Sequence, residues 1–91
     1  MSYAVVTGSQ ANEDLAALPV GVQAAVLRRF LQFAQNPAAV KTRGTRFPFT
    51  PGQLFEATFD YQGVTCWAGV VFQYSQDKQT LHILRIHVEY I

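Results

Sequence analysis

The stretch from Gln53 to Ile91 contains three strand-length segments in succession, and such a meander cannot stand alone because one of its faces is apolar and must be covered. Gln53 to Tyr61 alternates, with Phe55, Ala57, Phe59 and Tyr61 on one side and Glu56, Thr58 and Asp60 on the other, the pattern of a strand wet on one face. Gln62-Gly63 reads as a tight hairpin turn. Val64 to Tyr74 is apolar at both parities, as in a central strand covered on both faces, and Gly69 inside it marks a bulge or a close backbone approach. Ser75 to Gln79 is polar and turns the chain. Thr80 to Tyr90 makes the last strand, where alternation puts Leu84, Ile86, Val88 and Tyr90 on one face and Arg85, His87 and Glu89 on the other.

The cover lies upstream. Tyr3 to Thr7 is β-branched and aromatic and stops at Gly8, so it reads as a first strand. Ser9 is a candidate N-cap for a short helix carrying Ala11, Leu15 and Leu18 at helical spacing, with Glu13 and Asp14 in its early turns. From Pro19 onward, Val22, Val26, Phe30 and Phe33 form one apolar stripe, widened by Leu27, Leu31 and Ala34 and ended by Asn36-Pro37. Ala38 to Gly52 mixes breakers with positive charge and reads as an irregular, exposed loop. These elements define an α+β fold in the order β-α-α-β-β-β, a helical hairpin packed on one face of a small antiparallel sheet, with the first strand joining the meander. The opposite face of the sheet is left for a partner or substrate.

Ninety-one residues support a single domain, 1-91, with no room for a second module. Seven Lys+Arg against six Asp+Glu give a formal charge of +1, so no global field draws the protein to nucleic acid or membrane. Any RNA contact must be local. Cys66 is the sole cysteine, which excludes an internal disulfide and fits a reducing compartment. No basic-then-apolar leader opens the chain and no apolar run is long enough to span a bilayer, so the expected location is the cytoplasm.

Two groups of residues carry candidate chemistry. Lys41, Arg43 and Arg46 lie within six positions, and the last strand offers Arg85, His87, Glu89 and Tyr90. If the loop folds over the open face, the cations would neutralise a phosphodiester while His, Glu or Tyr moves protons, a set suited to RNA cleavage without a metal. An ordinary solvated loop beside an ordinary surface strand accounts for the same residues. His82 and His87 fall on opposite faces of a regular strand, and neither an HExxH sequence nor paired Cys-His spacing is present, so no metal is assigned. Cys66 sits in the apolar run from Val64 to Val70, the setting of a buried structural thiol. No nucleophile elbow surrounds Ser9 or Ser75, and no glycine-rich phosphate loop occurs, so no cofactor is expected. Phe47 and Phe49 would stack on bases, dock a partner helix or anchor the loop to the sheet.

Taken together, the N-terminal strand starting with Tyr3-Ala4-Val5, the stretch Asp14-Leu15-Ala16-Ala17-Leu18-Pro19 followed by Val22 to Phe33, Asn36-Pro37, the basic loop, Leu54-Phe55-Glu56-Ala57 and the closing Leu84-Arg85-Ile86-His87-Val88-Glu89-Tyr90 resemble the RelE/ParE superfamily of bacterial type II toxins. The resemblance covers nearly the full length and rests on element order and soft patterns. It implies a toxin bound by a cognate antitoxin. RelE-like members cut mRNA on the ribosome, and ParE-like members poison DNA gyrase. On the first branch the resemblance implies a metal-independent, ribosome-dependent mRNA endoribonuclease. Arg85 would hold phosphate, Tyr90 would transfer a proton or stack on a base, and His87 would substitute as acid or base, while Lys41, Arg43 and Arg46 would bind substrate. The alternative is a non-catalytic binding protein of the same fold, either a gyrase-directed toxin or an inactive relative that engages an antitoxin-like partner. The chain departs from the family at its middle strand, where Cys66-Trp67-Ala68-Gly69-Val70 stands in place of a pattern like Tyr-Arg-Val.

Overall fold

A computed structural model describes residues 3–40, 42–45 and 52–91, with the backbone alone for 43–45. The chain runs β1 (Ala4–Thr7), α1 (Ser9–Ala16), α2 (Val20–Gln35), a 3-10 turn (Pro37–Ala39), β2 (Arg43–Thr45), β3 (Gly52–Tyr61), β4 (Val64–Tyr74) and β5 (Thr80–Tyr90). The strands form one sheet in the order β1-β5-β4-β3-β2. The helical hairpin and the meander thus form as expected, with two corrections. First, β1 joins the sheet parallel to β5, while β2 to β5 pair antiparallel, so the sheet is mixed. Neighbouring parallel strands need a long crossover, and here the helices and the other strands supply it. Second, the expected loop from Ala38 to Gly52 contains the 3-10 turn and strand β2, which pairs Arg43, Gly44 and Thr45 with Leu54, Gln53 and Gly52.

The local signals act where the residue types place them. Gln62 and Gly63 both take positive φ, 51° and 80°, the geometry of a two-residue hairpin turn that follows strand twist. Ser9 is the first residue of α1, not its cap; Gly8 occupies the cap position and no side chain bonds there. The Gln23 side-chain amide donates to the Leu18 carbonyl at 2.9 Å and ties the connection between the helices. Gly21 allows the Tyr61 ring to press on the start of α2, where an added Cβ would lie 2.5 Å from a ring carbon.

The core lies between the helices and one face of the sheet. Ala11 and Leu15 of α1 and Val22, Val26, Phe30, Phe33 and Ala34 of α2 are buried against alternate residues of β3, β4 and β5. Phe30, Phe33, Phe55 and Phe72 pack as one aromatic cluster with ring centroids 4.7–5.5 Å apart. Such offset and edge-on ring pairs add to the stabilisation that buried area alone provides.

β5 does not hold one parity. Opposite it, Val71 pairs with Arg85 while the next residue, Phe72, pairs with Ile83, so Leu84 is an extra residue, a β-bulge. Buried Leu81 and Ile83 before the bulge, and Ile86 and half-buried Val88 after it, therefore all pack against the helix-side core. This corrects the alternation expected of the strand, in which Leu84 was placed on the face of Ile86.

Phe30 and Phe72 are both fully buried and share the aromatic cluster. Truncation of Phe30 to Ala is expected to cost about 3–5 kcal/mol, a large share of the roughly 5–15 kcal/mol available to a domain. Denaturant unfolding of the two chains should show a lower midpoint at nearly unchanged slope.

Candidate functional site

The bulge in β5 falls where β1 ends. β1 covers the outer edge of β5 only as far as Thr7, which pairs with Ile83, and beyond that point the edge amides of β5 need another acceptor. α1 supplies it. The Asp14 Oδ2 atom accepts the Ile86 backbone N–H at 2.9 Å and the Arg85 Nε–H at 2.9 Å, while Oδ1 accepts from Arg85 Nη2 at 3.1 Å. The pair is bidentate and partly sheltered, with 29% of the Arg85 side chain and 17% of the Asp14 side chain exposed. Burial acts to raise the Asp14 pKa, but the hydrogen bonds from Arg85 and Ile86 and the charges of Arg85 and His87 outweigh it and hold the carboxyl below its usual range. Arg85 in turn is held above its usual value, first by the hydrogen bond to Asp14.

The face away from the helices carries a second cluster. Trp67 of β4 donates its indole Nε1–H to Glu56 Oε2 of β3 at 3.1 Å. Its ring lies across Gly69, where an added Cβ would come within 2.6 Å of the indole. The close backbone approach expected at this glycine is thus made by the strand's own tryptophan. On the other side the Trp67 ring meets His87 edge-on at 6.4 Å, and His87 Nε2 lies 3.3 Å from Glu89 Oε1. Glu56, Trp67, His87 and Glu89 thus make a continuous strip across β3, β4 and β5. Further along the same face, the Thr65 hydroxyl donates to Asp60 Oδ1 at 3.2 Å. The open face is not uniformly wet, because Leu54 and Val71 are buried on it outside the helix-side core.

The sequence-derived site residues are therefore separated. Arg85 and His87 share the helix-free face, and Arg85 is turned to the sheet edge by Asp14. Tyr90 pairs with Cys66 at the far end of β5, on the helix-side parity, and is half exposed. Five residues of strand separate Arg85 from Tyr90, a span of roughly 16 Å. Arg43 lies in edge strand β2, with β3 and β4 between it and β5. Lys41, Arg46, Phe47 and Phe49 fall outside the described residues. The bulge brings His82 and His87 to the same face, contrary to the regular-strand expectation, yet they pair with Gln73 and Gly69 and stand several residues apart. Among the described residues no group of His, Cys, Asp or Glu is arranged to hold a metal ion. Cys66 is buried, as its apolar setting implied. The partner role of Asp14 was missed in the sequence. The signal was its place beside Leu15 in the last turn of α1, but nothing local shows that a strand edge 71 residues away needs an acceptor.

A groove runs between α2 and β3. β2 pairs with β3 only at Gly52 to Leu54, and beyond it Arg29, Gln32, Phe33, Val40, Phe55 and Ala57 line an open cleft of about 420 Å³. Among the described residues no helix is long and apolar enough to cross a membrane.

No protein-family model matches this sequence. No curated protein matches it significantly. The fold does match a solved structure: a chain of the toxin-antitoxin complex RelBE2 from Mycobacterium tuberculosis aligns with a TM-score of 0.67, over 98% of this chain and 100% of that one, at 24% sequence identity. The α+β architecture described above is accordingly the RelE-like fold, shared along essentially the whole chain.

Two substitutions separate the clusters. Asp14→Asn should lower Tm by about 5 °C at pH 7, since charge-assisted bonds are lost at a partly screened site. The folded pKa of Asp14 lies below its unfolded value, so its contribution is complete above the ordinary carboxylate pKa of about 3.9 and is lost as pH falls through the folded pKa. The stability gap between wild type and Asp14→Asn should therefore close as pH is taken below about 4. Gly69→Ala should displace the Trp67 ring and shift its fluorescence emission, with little loss of stability because a side chain rather than backbone gives way.

Proposed function

We propose that this chain is the toxin component of a toxin-antitoxin pair, held by a cognate antitoxin, and that it acts by binding a protein target rather than by cutting RNA. The full-length match of its fold to a chain of a toxin-antitoxin complex supports the first part. The Asp14–Arg85 pair carries the second. A guanidinium held bidentate by a carboxylate through Nε and Nη2 has its charge balanced before any phosphate arrives, and a phosphate taken up by its remaining N–H groups would meet the Asp14 carboxylate beside it. Tyr90, on the other parity of the strand, does not converge with it. The strip on the open face adds carboxylates at Glu56 and Glu89, and the formal charge of +1 gives no general attraction to RNA.

The groove between α2 and β3 suits an antitoxin segment. It joins the apolar walls Phe33, Phe55 and Ala57 to the polar rim Arg29, Gln32 and Glu56, along the part of β3 with which β2 does not pair. For the target, the resemblance to ParE-like toxins implies DNA gyrase, and a protein target does not require Arg85 to be free.

Induced expression in bacteria tests this reading. Growth arrest with unchanged mRNA ends, relieved by the product of a small neighbouring open reading frame, is the expected result. Arg29→Glu should weaken binding to that product about tenfold with no change in Tm, because Arg29 is exposed on α2 and lines the groove. New mRNA cleavage sites that vanish in Arg85→Ala and Tyr90→Phe would overturn the protein-target reading in favour of the ribosome-dependent endoribonuclease. Absence of any growth effect would overturn the toxin reading itself.

A further inference from the structure

At the opposite end of β4 from the hairpin turn lies a second cavity, of about 290 Å³, lined by Tyr3, Asn36, Pro37, Ala38, Tyr74 and Lys78. It forms where three connections meet: the entry to β1, the exit from α2, and the turn between β4 and β5. Tyr3 is fixed by its N–H bond to the Ala34 carbonyl at 2.9 Å, and the following strand begins with Ala4 N–H donating to Gln79 O at 3.1 Å. The Tyr3 and Tyr74 rings meet edge-on at 5.7 Å, and Tyr74 leans on Phe72 at the same separation, so the aromatic wall continues into the core.

The described residues that line this cavity bring several donors and one formal charge, which is positive. Lys78 brings an ammonium, Asn36 an amide and the two tyrosines a hydroxyl each, and among the described residues no carboxylate lines it. The nearest acid in sequence, Asp77, is occupied within the turn: its Oδ1 accepts the Gln79 N–H at 3.0 Å and bonds the Ser75 hydroxyl. Among the described residues no hydrogen bond or ion pair engages the side chains of Lys78, Asn36, Tyr3 or Tyr74. Burial, followed by the neighbouring Tyr3, pushes the Tyr74 phenol upward, which keeps it a neutral donor at physiological pH.

Lys78 is also the wrong residue for its backbone. It sits at φ 57°, in the left-handed region that favours glycine, and the turn closes through its N–H to the Ser75 carbonyl at 2.9 Å. Glycine would make the same turn without the steric cost, and a lysine there adds nothing to the turn's own hydrogen bonds. What it adds is an ammonium at the mouth of an aromatic cavity. A residue that breaks a local preference without local gain points to a role outside the turn.

We propose that this cavity is a binding site for a small organic carboxylate carried on an apolar or aromatic body. The one formal positive charge among the described lining residues matches one carboxylate, and the three neutral donors can share its remaining lone pairs. The apolar body would lie against the tyrosine rings and Pro37. The site is separate from the strip around Trp67, which lies on the other face of the sheet near the middle of β4. It does not depend on the toxin reading.

The test is an NMR titration of the full chain with phenylacetate, with phenylacetamide and inorganic phosphate as comparators. Saturable shifts confined to the amides around Tyr3, Asn36, Tyr74 and Lys78, seen with phenylacetate and at least tenfold weaker with phenylacetamide, are expected. Lys78→Gln should weaken phenylacetate binding about tenfold or more. Lys78→Gly gives the decisive contrast: it should raise the melting temperature, because it relieves the turn, while abolishing the binding. Equal binding of the amide, binding unchanged in Lys78→Gln, or no saturable shift would overturn the proposal. Tighter binding of phosphate than of phenylacetate would overturn the carboxylate assignment. If Lys78→Gly instead lowers the melting temperature, Lys78 serves the turn and the inference from its backbone fails.

Discussion

β5 must feed the helix-side core along its whole length while its outer neighbour changes halfway. Up to Ile83 that neighbour is β1; beyond it the strand faces α1. A regular strand starting with Leu81 and Ile83 inward would turn Ile86 and Val88 outward and give the core Arg85 and His87 instead. The extra residue at Leu84 resets the parity, so that both halves of the strand bury their apolar side chains. A bulge also interrupts edge pairing and sharpens local twist, which suits the point where β1 leaves the sheet.

The orphan amide that follows the bulge explains why Asp14 is where it is. A buried or half-buried strand edge without an acceptor costs about as much as a lost hydrogen bond, and helix α1 meets the need with a carboxylate rather than a carbonyl. A carboxylate in that position needs a counter-charge, and the residue next to the capped amide, Arg85, provides it through its Nε and Nη2 donors. The arginine that resembles a catalytic group is thereby part of how α1 is attached to the sheet. A structural role of this kind is enough to retain Arg85, and so its presence alone says little about chemistry on phosphate.

Most of the fold was legible because each element carries its own period. The limits of β4 and β5 and of the long helix follow from alternation, from a helical stripe, and from Pro and Gly punctuation. The parts that were not legible are those set by distant partners. Nothing local to Leu84 reveals a bulge; it arises because β1 is only four residues long and α1 must dock beside what β1 leaves bare. Parallel addition of β1, the brief pairing of Arg43 to Thr45, and the Asp14 contact are likewise long-range. The candidate residues were legible in composition, and alternation already divides Tyr90 from Arg85 and His87; the turn of Arg85 toward Asp14 was not legible, because it is set by a residue 71 positions away.

The middle strand shows how such a surface can change character without changing fold. In the stretch Cys66 to Val70, where the resemblance leads one to expect an arginine, the strand has Trp67 and, two residues on, a glycine whose missing side chain makes room for the indole. Tryptophan and glycine act here as a unit: the ring can lie flat only over Gly69, and once flat it directs its N–H to Glu56 and its edge to His87. An arginine on this face would offer projecting charge; the indole offers area, a neutral donor already engaged, and carboxylates on either side. That exchange suits contact with another protein, where aromatic area at low conformational cost contributes strongly to binding, better than it suits a phosphodiester, which is held chiefly by positive charge.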